Sequence, residues 1–400
     1  MKRSTTILIC LILLVFRLWL ATQSKHGDMY NNLDWGRGAA LYGLARFYDL
    51  PKEVWPHSRP NQPAGSILLH LASYQFNNFA SLLINWLNIS LPVFPSKLVW
   101  WWEQSGELIA IKLPSILADF AIAAALVLLT KKGWIGWLYL LNPALWYNSG
   151  FWGQTDSVVA AFAIWSLVWL SKSRLLLSTI FLGLSLVTKA SWLPLVPLYS
   201  IYYVRKFASQ LSTLILVPLT ILAVFFPFHP RLDLPIWLWQ LFTQRLLPGE
   251  SGFASVSAFN FWHLMFGQNL VPDSTWGINL IGPAIILTIS GILGYRLWKK
   301  PDFSRLVSSS AILFFAVFLF ATRMHERYLY PLFPLLSLGL PILWPVYLLA
   351  SLSYLTNLYY QWYAPLVPAL VSLYSVQFTK MVSAVNLGLF AYVFHSQTQD

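Results

Sequence analysis

Apolar runs of membrane-spanning length, separated by short connectors that carry Lys and Arg, constrain this chain more than any other feature. The first run, STTILICLILLVFRLWLAT, follows Met-Lys-Arg directly. A soluble domain carries about a quarter charged residues. Here the share is 10%, against 57% hydrophobic residues and a mean hydropathy of +0.60. An ordinary soluble enzyme is excluded. The expected fold is all-α and integral to the membrane: a polytopic bundle of about 11–13 transmembrane helices with amphipathic helices in its outer loops. Residues 1–400 read as one such domain. The first run is expected to stay on the protein as a transmembrane helix, because Arg17 interrupts it and no A-x-A cleavage site follows.

Net charge is +12. Basic connectors that orient helices account for such an excess, so membrane lipids are the expected partners and nucleic acid is not. Cys10 is the only cysteine, so no disulfide can form within the chain.

Lys and Arg recur at Lys2/Arg3, Lys131/Lys132, Lys172/Arg174, Arg205/Lys206 and from Arg296 to Arg305. If these connectors face the cytoplasm, the alternate ones face outward. The outward set is then a first outer loop at 23–104, the turn around WGQTDS, the turn at Thr188-Lys189-Ala190, a second large outer loop at 229–274, and RMHER. The spans this implies run from about 5–22, 105–130, 133–149, 156–171, 174–190 and 191–204 to 208–228, 275–297, 305–321, 327–340, 342–358 and 366–394. Several are short for a bilayer that needs about 20 residues. Residues 64–90 read as a partly embedded helix within the first outer loop. No internal repeat is visible, which weighs against a transporter.

The outward set holds most of the acidic residues and most of the polar clusters. In the first loop, Asp28 and Asp34 precede an apolar pattern expected to form an interfacial helix after Gly36. Either carboxylate is a candidate general base, with Asp28 the first choice, because Asp34 reads foremost as a helix cap. Gln154 and Asp156, in GFWGQTDS, point toward an outer pocket, although Asp156 also stands at a helix start. Lys189 either snorkels or holds a phosphate. Asn260 and His263, in SAFNFWHL, line a pocket or belong to an aromatic surface anchor. Lys112 and Asp119, seven apart, share one helix face inside a span, and Asp119 reads as structural. In RMHERYLYP, four charged or titratable residues fall within five positions: Arg323, His325, Glu326 and Arg327. Two arginines and a histidine suit a phosphate, with Glu326 orienting one of them. No His or Cys spacing suggests a metal site, and no cofactor is expected.

At LNPALWYNSGFWGQTDSVVAAF and RMHERYLYP, and more loosely at GDMYNNLDWGRGAALYG, KLPSILADF and SAFNFW, the chain resembles the GT-C superfamily of polytopic glycosyltransferases. The bacterial mannosyltransferase-like branch related to GPI-anchor mannosyltransferases is the most similar. The resemblance implies an inverting transfer of a hexose, such as mannose, from a polyprenyl-phosphate donor. The acceptor would be a lipid, glycan or protein at the outer face of a bacterial plasma membrane. It implies that an acidic residue of the first outer loop, Asp28 or alternatively Asp34, acts near the acceptor. It also implies that the WGQTD and HERY turns line the donor pocket. The rival class is a lipid or sugar transporter or flippase working through Asp119 and Lys112. A third is a glycan-ligating enzyme with a diphosphate donor.

Overall fold

Helix formation follows the apolar runs closely, because a chain in lipid must satisfy its backbone internally. The computed structural model describes residues 3–246, 252–339 and 343–398. Lys2 of the first basic pair, residues 247–251 of the second outer loop, and residues 340–342, where two expected spans meet, lie outside these. The protein is all-α and 80% helical, with the character of a helical membrane protein. Five of the described helices are long and apolar enough to cross a membrane: Ser4–Thr22, Ser96–Thr130, Ala208–Phe228, Thr275–Lys299 and Phe303–Phe320. Their outer faces are bare hydrocarbon. Leu8, Ile12 and Val15 of the first helix are more than half exposed, as are Leu280 and Leu287 near the fourth. Such faces are stable against acyl chains and costly against water.

Four elements at the start of the chain position the site. Helix α1 is Arg3–Thr22, α2 is Gly27–Tyr42, α3 is Ala64–Ser90 and α4 is Ser96–Thr130. Helix α2 begins earlier than expected. His26 caps it by accepting from the Asp28 amide at 3.0 Å, and Gly43, at φ +76°, ends it. Asp34 therefore lies inside the helix and cannot cap it. Residues 44–49 form a separate 3-10 turn instead of continuing the interfacial helix. Helix α4 begins nine residues before the expected span. At 1.5 Å per residue its 35 residues extend about 52 Å, well past a hydrocarbon core of about 30 Å. With α3 it forms a hairpin through the turn 91–95, so 64–104 is two packed helices and little loop.

Other expected spans are broken where Pro and Gly fall. The 133–149 run divides into Gly133–Leu140, Pro143–Trp146 and a wide turn Tyr147–Trp152. Asn142 starts the second piece, accepting from Ala144 N at 3.0 Å. The 366–394 run divides into Pro368–Val371 and Val376–Thr398.

One large core runs through the helix bundle, built around Ile122, Tyr139, Trp152, Val159, Trp192 and Phe315. A second, smaller core lies at the end where α1 stops. It joins Trp35, Phe47, Tyr48 and Trp55 of the first loop to Phe225 and Phe228 at the end of the Ala208–Phe228 helix and to Leu241 of the second loop. The far end gathers the basic connectors. Arg205 donates to Trp298 O, Arg296 to Thr398 O, and Arg305 to Arg296 O.

Within the bundle Arg17 and Asp119, both fully buried, form an ion pair. Asp119 also accepts from Ser149 Oγ at 2.5 Å and Tyr330 Oη at 2.9 Å, and Arg17 donates to Leu140 O at 2.9 Å. A buried pair that loses one member leaves an uncompensated charge, at about 3–5 kcal/mol. Arg17→Met is therefore expected to lower unfolding free energy by about that amount. The double variant Arg17→Met/Asp119→Leu should recover most of it. Thermal unfolding of the purified variants measures both.

Candidate active site

The second core supports a cavity of about 740 Å³ that opens at the end of α1. Asp28 sits on its wall in the first turn of α2, where the helix dipole favours a carboxylate. Gln154 Nε2 donates to Asp28 Oδ2 at 2.6 Å, and Arg327 Nη1 lies 3.6 Å from the same oxygen. Asp28, Gln154, Lys189, His325 and Arg327 all line the cavity, although they come from four separate parts of the chain.

Lys112 fixes two of those parts. Its buried ammonium donates to Ala21 O at 2.9 Å, Ser24 O at 2.8 Å and Phe151 O at 2.7 Å. It thereby ties the end of α1 and the lead-in to Asp28 to the turn before Gln154. Gly153 packs directly on its stem at φ +91°. A Cβ there would lie 3.0 Å from Lys112 Cγ, in a backbone conformation that suits glycine. Lys112 and Asp119 share a helix face but not a partner, so each is committed to its own fixed contacts.

The HERY segment is held from two sides. A short parallel pairing joins β1, Ser255–Val256, to β2, Met324–His325. Behind it, Tyr330 reaches Asp119 and Tyr139. Glu326 is fully buried, and its Oε1 accepts from Arg327 Nη1 at 2.9 Å. Burial pushes the Glu326 carboxyl up from its ordinary range, and the Arg327 charge opposes this. Lys189 reaches Asp156 Oδ1 at 2.6 Å and lies 5.5 Å from the Tyr328 ring centre. Asp156 Oδ2 has no partner among the described residues.

Asp28 feels two opposed effects. Burial raises its carboxyl. The Arg327 charge above all, with His26, the Gln154 hydrogen bond and Lys189, outweighs burial and holds it below the usual carboxylate range. His325 moves the other way from what a phosphate-binding cation needs. Burial first, then the charges of Arg327 and Lys189, depress its imidazole to about 3. The ring is neutral at pH 7 and acts as a hydrogen-bonding group, not a charge. A rate profile should accordingly show no step near pH 6.5 that His325→Gln removes. For stability, the unfolded chain binds the proton between 6.5 and about 3, so the His325 contribution is full above 6.5 and fades as pH falls through that window.

The remaining candidates take other places. Asp34 does not line the cavity; it pairs with His57 Nδ1 at 2.5 Å. Arg323 turns away, its Nε donating to Asp273 Oδ2 at 2.6 Å. Asp156 and Glu326 lie behind the lining and meet the cavity through Lys189 and Arg327. Asn260 is fully buried and caps the helix Phe261–Phe266, accepting from His263 N at 3.0 Å, while Nδ2 donates to Phe318 O at 3.3 Å. His263 is buried against Phe259. Neither Asn260 nor His263 lines the pocket or anchors a surface, because helix capping and packing take them inward.

Asn31, Asn32 and Gln62 also line the cavity, and sequence reasoning passed over them. They carry no charge to attract notice. The signal was their spacing, since Asn31 and Asn32 fall three and four residues after Asp28. Among the described residues, no three His, Cys, Asp or Glu side chains gather into a set able to hold a metal. No protein-family model matches the chain, and no curated protein sequence matches it.

Proposed function

We propose that the chain is an inverting glycosyltransferase that moves a hexose, such as mannose, from a polyprenyl-phosphate donor to a lipid, glycan or protein hydroxyl. One observation carries this reading: a carboxylate and two cations line a single cavity together with a set of apolar side chains. Asp28 is the carboxylate; Lys189 and Arg327 are the cations. Leu193, Pro194, Phe242, Leu246, Phe314 and Val317 supply an apolar wall suited to a prenyl chain. The polar wall around Asp28 suits a hydroxyl-bearing acceptor.

The chemistry follows from those positions. The acceptor hydroxyl attacks the anomeric carbon as the carbon–oxygen bond to phosphate breaks, which inverts that centre. Asp28 takes the hydroxyl proton. Arg327 and Lys189 stabilise the charge that collects on the departing polyprenyl phosphate. Without donor, Arg327 lies near Asp28 and depresses its basicity. A phosphate on Arg327 offsets that charge, so donor binding raises the basicity of Asp28 when it is needed. No metal or other cofactor enters this scheme.

The fold belonging to this reading is GT-C-like, with about 11–13 spans in all and the cavity facing outward from a bacterial plasma membrane. The partners are the membrane lipids, the donor and the acceptor. A transporter or flippase working through Lys112 and Asp119 is less well supported, because both side chains are locked in fixed contacts. The test is incubation of membranes containing the chain with radiolabelled polyprenyl-phosphate hexoses. Transfer of label to a second molecule is expected. Label that stays on the donor with every hexose tried contradicts the assignment.

A further inference from the structure

The cavity wall that runs from Asp28 along α2 is made of carboxamides. Asn31 and Asn32 follow Asp28 by three and four residues, so all three lie on one helix face. Their Cα atoms are displaced about 4.5–6 Å from Asp28 along the axis. The strap 58–63 brings Gln62 to the same cavity, with its Oε1 3.4 Å from His70 Nε2. The strap is fixed in advance. Trp35 Nε1 donates to Ser58 O at 2.8 Å, and Tyr48 Oη donates to Gln62 O at 2.7 Å. Asn32 is only 4% exposed, and Asn31 Oδ1 is buried with no partner among the described residues.

We infer that this wall binds the pyranose ring of the acceptor, so that the acceptor is a glycan or glycolipid and not a protein side chain or plain lipid alcohol. The inference rests on Asp28 as the base of a transferase. A carboxamide offers a donor and an acceptor in one plane, which matches neighbouring hydroxyls that each do both. The three carboxamides carry no charge, whereas a phosphate calls for the cations Lys189 and Arg327, the latter 3.6 Å from Asp28 Oδ2. The donor hexose belongs beside its own phosphate. The carboxamides extend instead from the group that takes the acceptor proton, at a spacing comparable to one sugar ring. A serine, threonine or alkanol would bring one hydroxyl to Asp28 and leave these amides without hydroxyl partners.

The test uses the full chain in lipid nanodiscs with a radiolabelled polyprenyl-phosphate hexose. Three acceptor classes are compared: methyl and octyl hexosides, a Ser/Thr peptide, and octanol. Asn32→Leu keeps the side-chain shape and removes its hydrogen bonds. It is expected to raise KM for the hexoside by at least about tenfold, the loss of about one good hydrogen bond, with KM for the donor unchanged. Dodecyl phosphate binding, unchanged in the variant, shows that the fold and the phosphate side persist. Label passing to the peptide or to octanol in preference to hexosides overturns the inference and leaves the transferase reading standing. An unchanged hexoside KM in Asn32→Leu also overturns it. If nothing accepts label, yet a hexoside binds the wild type and not Asn32→Leu, sugar binding at the wall stands and the transferase reading falls. Absence of both transfer and hexoside binding overturns the inference.

Discussion

Asp28→Asn lowers the rate of hexose transfer by about 10²–10⁴-fold, the range a positioned general base contributes. The amide keeps the shape, and donor binding should stay near normal because Lys189 and Arg327 remain. The loss should therefore appear in kcat more than in KM for the donor. Asp34→Asn is the matched control. That carboxylate meets His57 Nδ1 at 2.5 Å on the part of α2 that does not line the cavity. The His57 side chain is 47% exposed, and such surface pairs are worth about 0–1 kcal/mol. Asp34→Asn should transfer hexose at close to the wild-type rate. Steady-state kinetics on both variants, with dodecyl phosphate binding as a check on folding, measures the contrast. Loss of transfer in Asp34→Asn with activity kept in Asp28→Asn reverses the two roles.

The second large effect is expected at Arg327. Its guanidinium contacts Glu326 and lies near Asp28, and it lines the cavity. A lysine keeps the charge but offers a point donor in place of a planar fork. A hydrogen bond to a charged group contributes about 1.5–3 kcal/mol, so Arg327→Lys should weaken donor use by at least about tenfold. Arg323→Lys should do far less. The sequence places the two arginines four residues apart with equal claims, yet Arg323 turns to Asp273 and only Arg327 turns inward. Equal losses in the two variants, read from kcat/KM for the donor, contradict this division.

That pair of arginines shows what the sequence could and could not convey. Charge density in RMHERYLYP marked the segment, because a chain so poor in charge does not place four such residues within five positions by chance of composition. Which arginine faces the cavity depends on Asp273, fifty positions upstream, and a contact at that distance leaves no local pattern. Asp28 and Asp34 pose the same problem on a smaller scale. Six residues of α-helix turn through about 600°, which leaves their side chains about 120° apart. Once α2 is known to start at Gly27, Asp28 shares a face with Asn32, four residues on, whereas Asp34 lies only two residues from Asn32 and about 160° round the helix from it. Gly27, Gly36 and Gly38 concealed that start, since glycine argues against helix interiors. In Gly36 the reason is close packing: a Cβ there would lie 2.4 Å from His70 O of α3.

The apolar runs were legible because lipid imposes a length and a period on them. Their ends were not, as α4 shows by running nine residues past its expected start. The partner of Asp119 was equally hidden. Arg17 read only as an interruption in an apolar run, whereas the fold places it against a carboxylate 102 residues away. Asn260 and His263 sat in a motif that looked like a pocket, and local capping explains them instead.

The most direct test follows a single donor molecule. Full-length protein in nanodiscs is given a polyprenyl-phosphate [³H]hexose and an octyl hexoside, and the product is isolated and its anomeric configuration read by NMR. If Asp28 acts as base against a phosphate held by Arg327 and Lys189, label moves to the octyl hexoside with inversion at the transferred carbon, and Asp28→Asn abolishes the transfer. Label recovered wholly on the donor lipid, retention of configuration, or undiminished transfer by Asp28→Asn would contradict it.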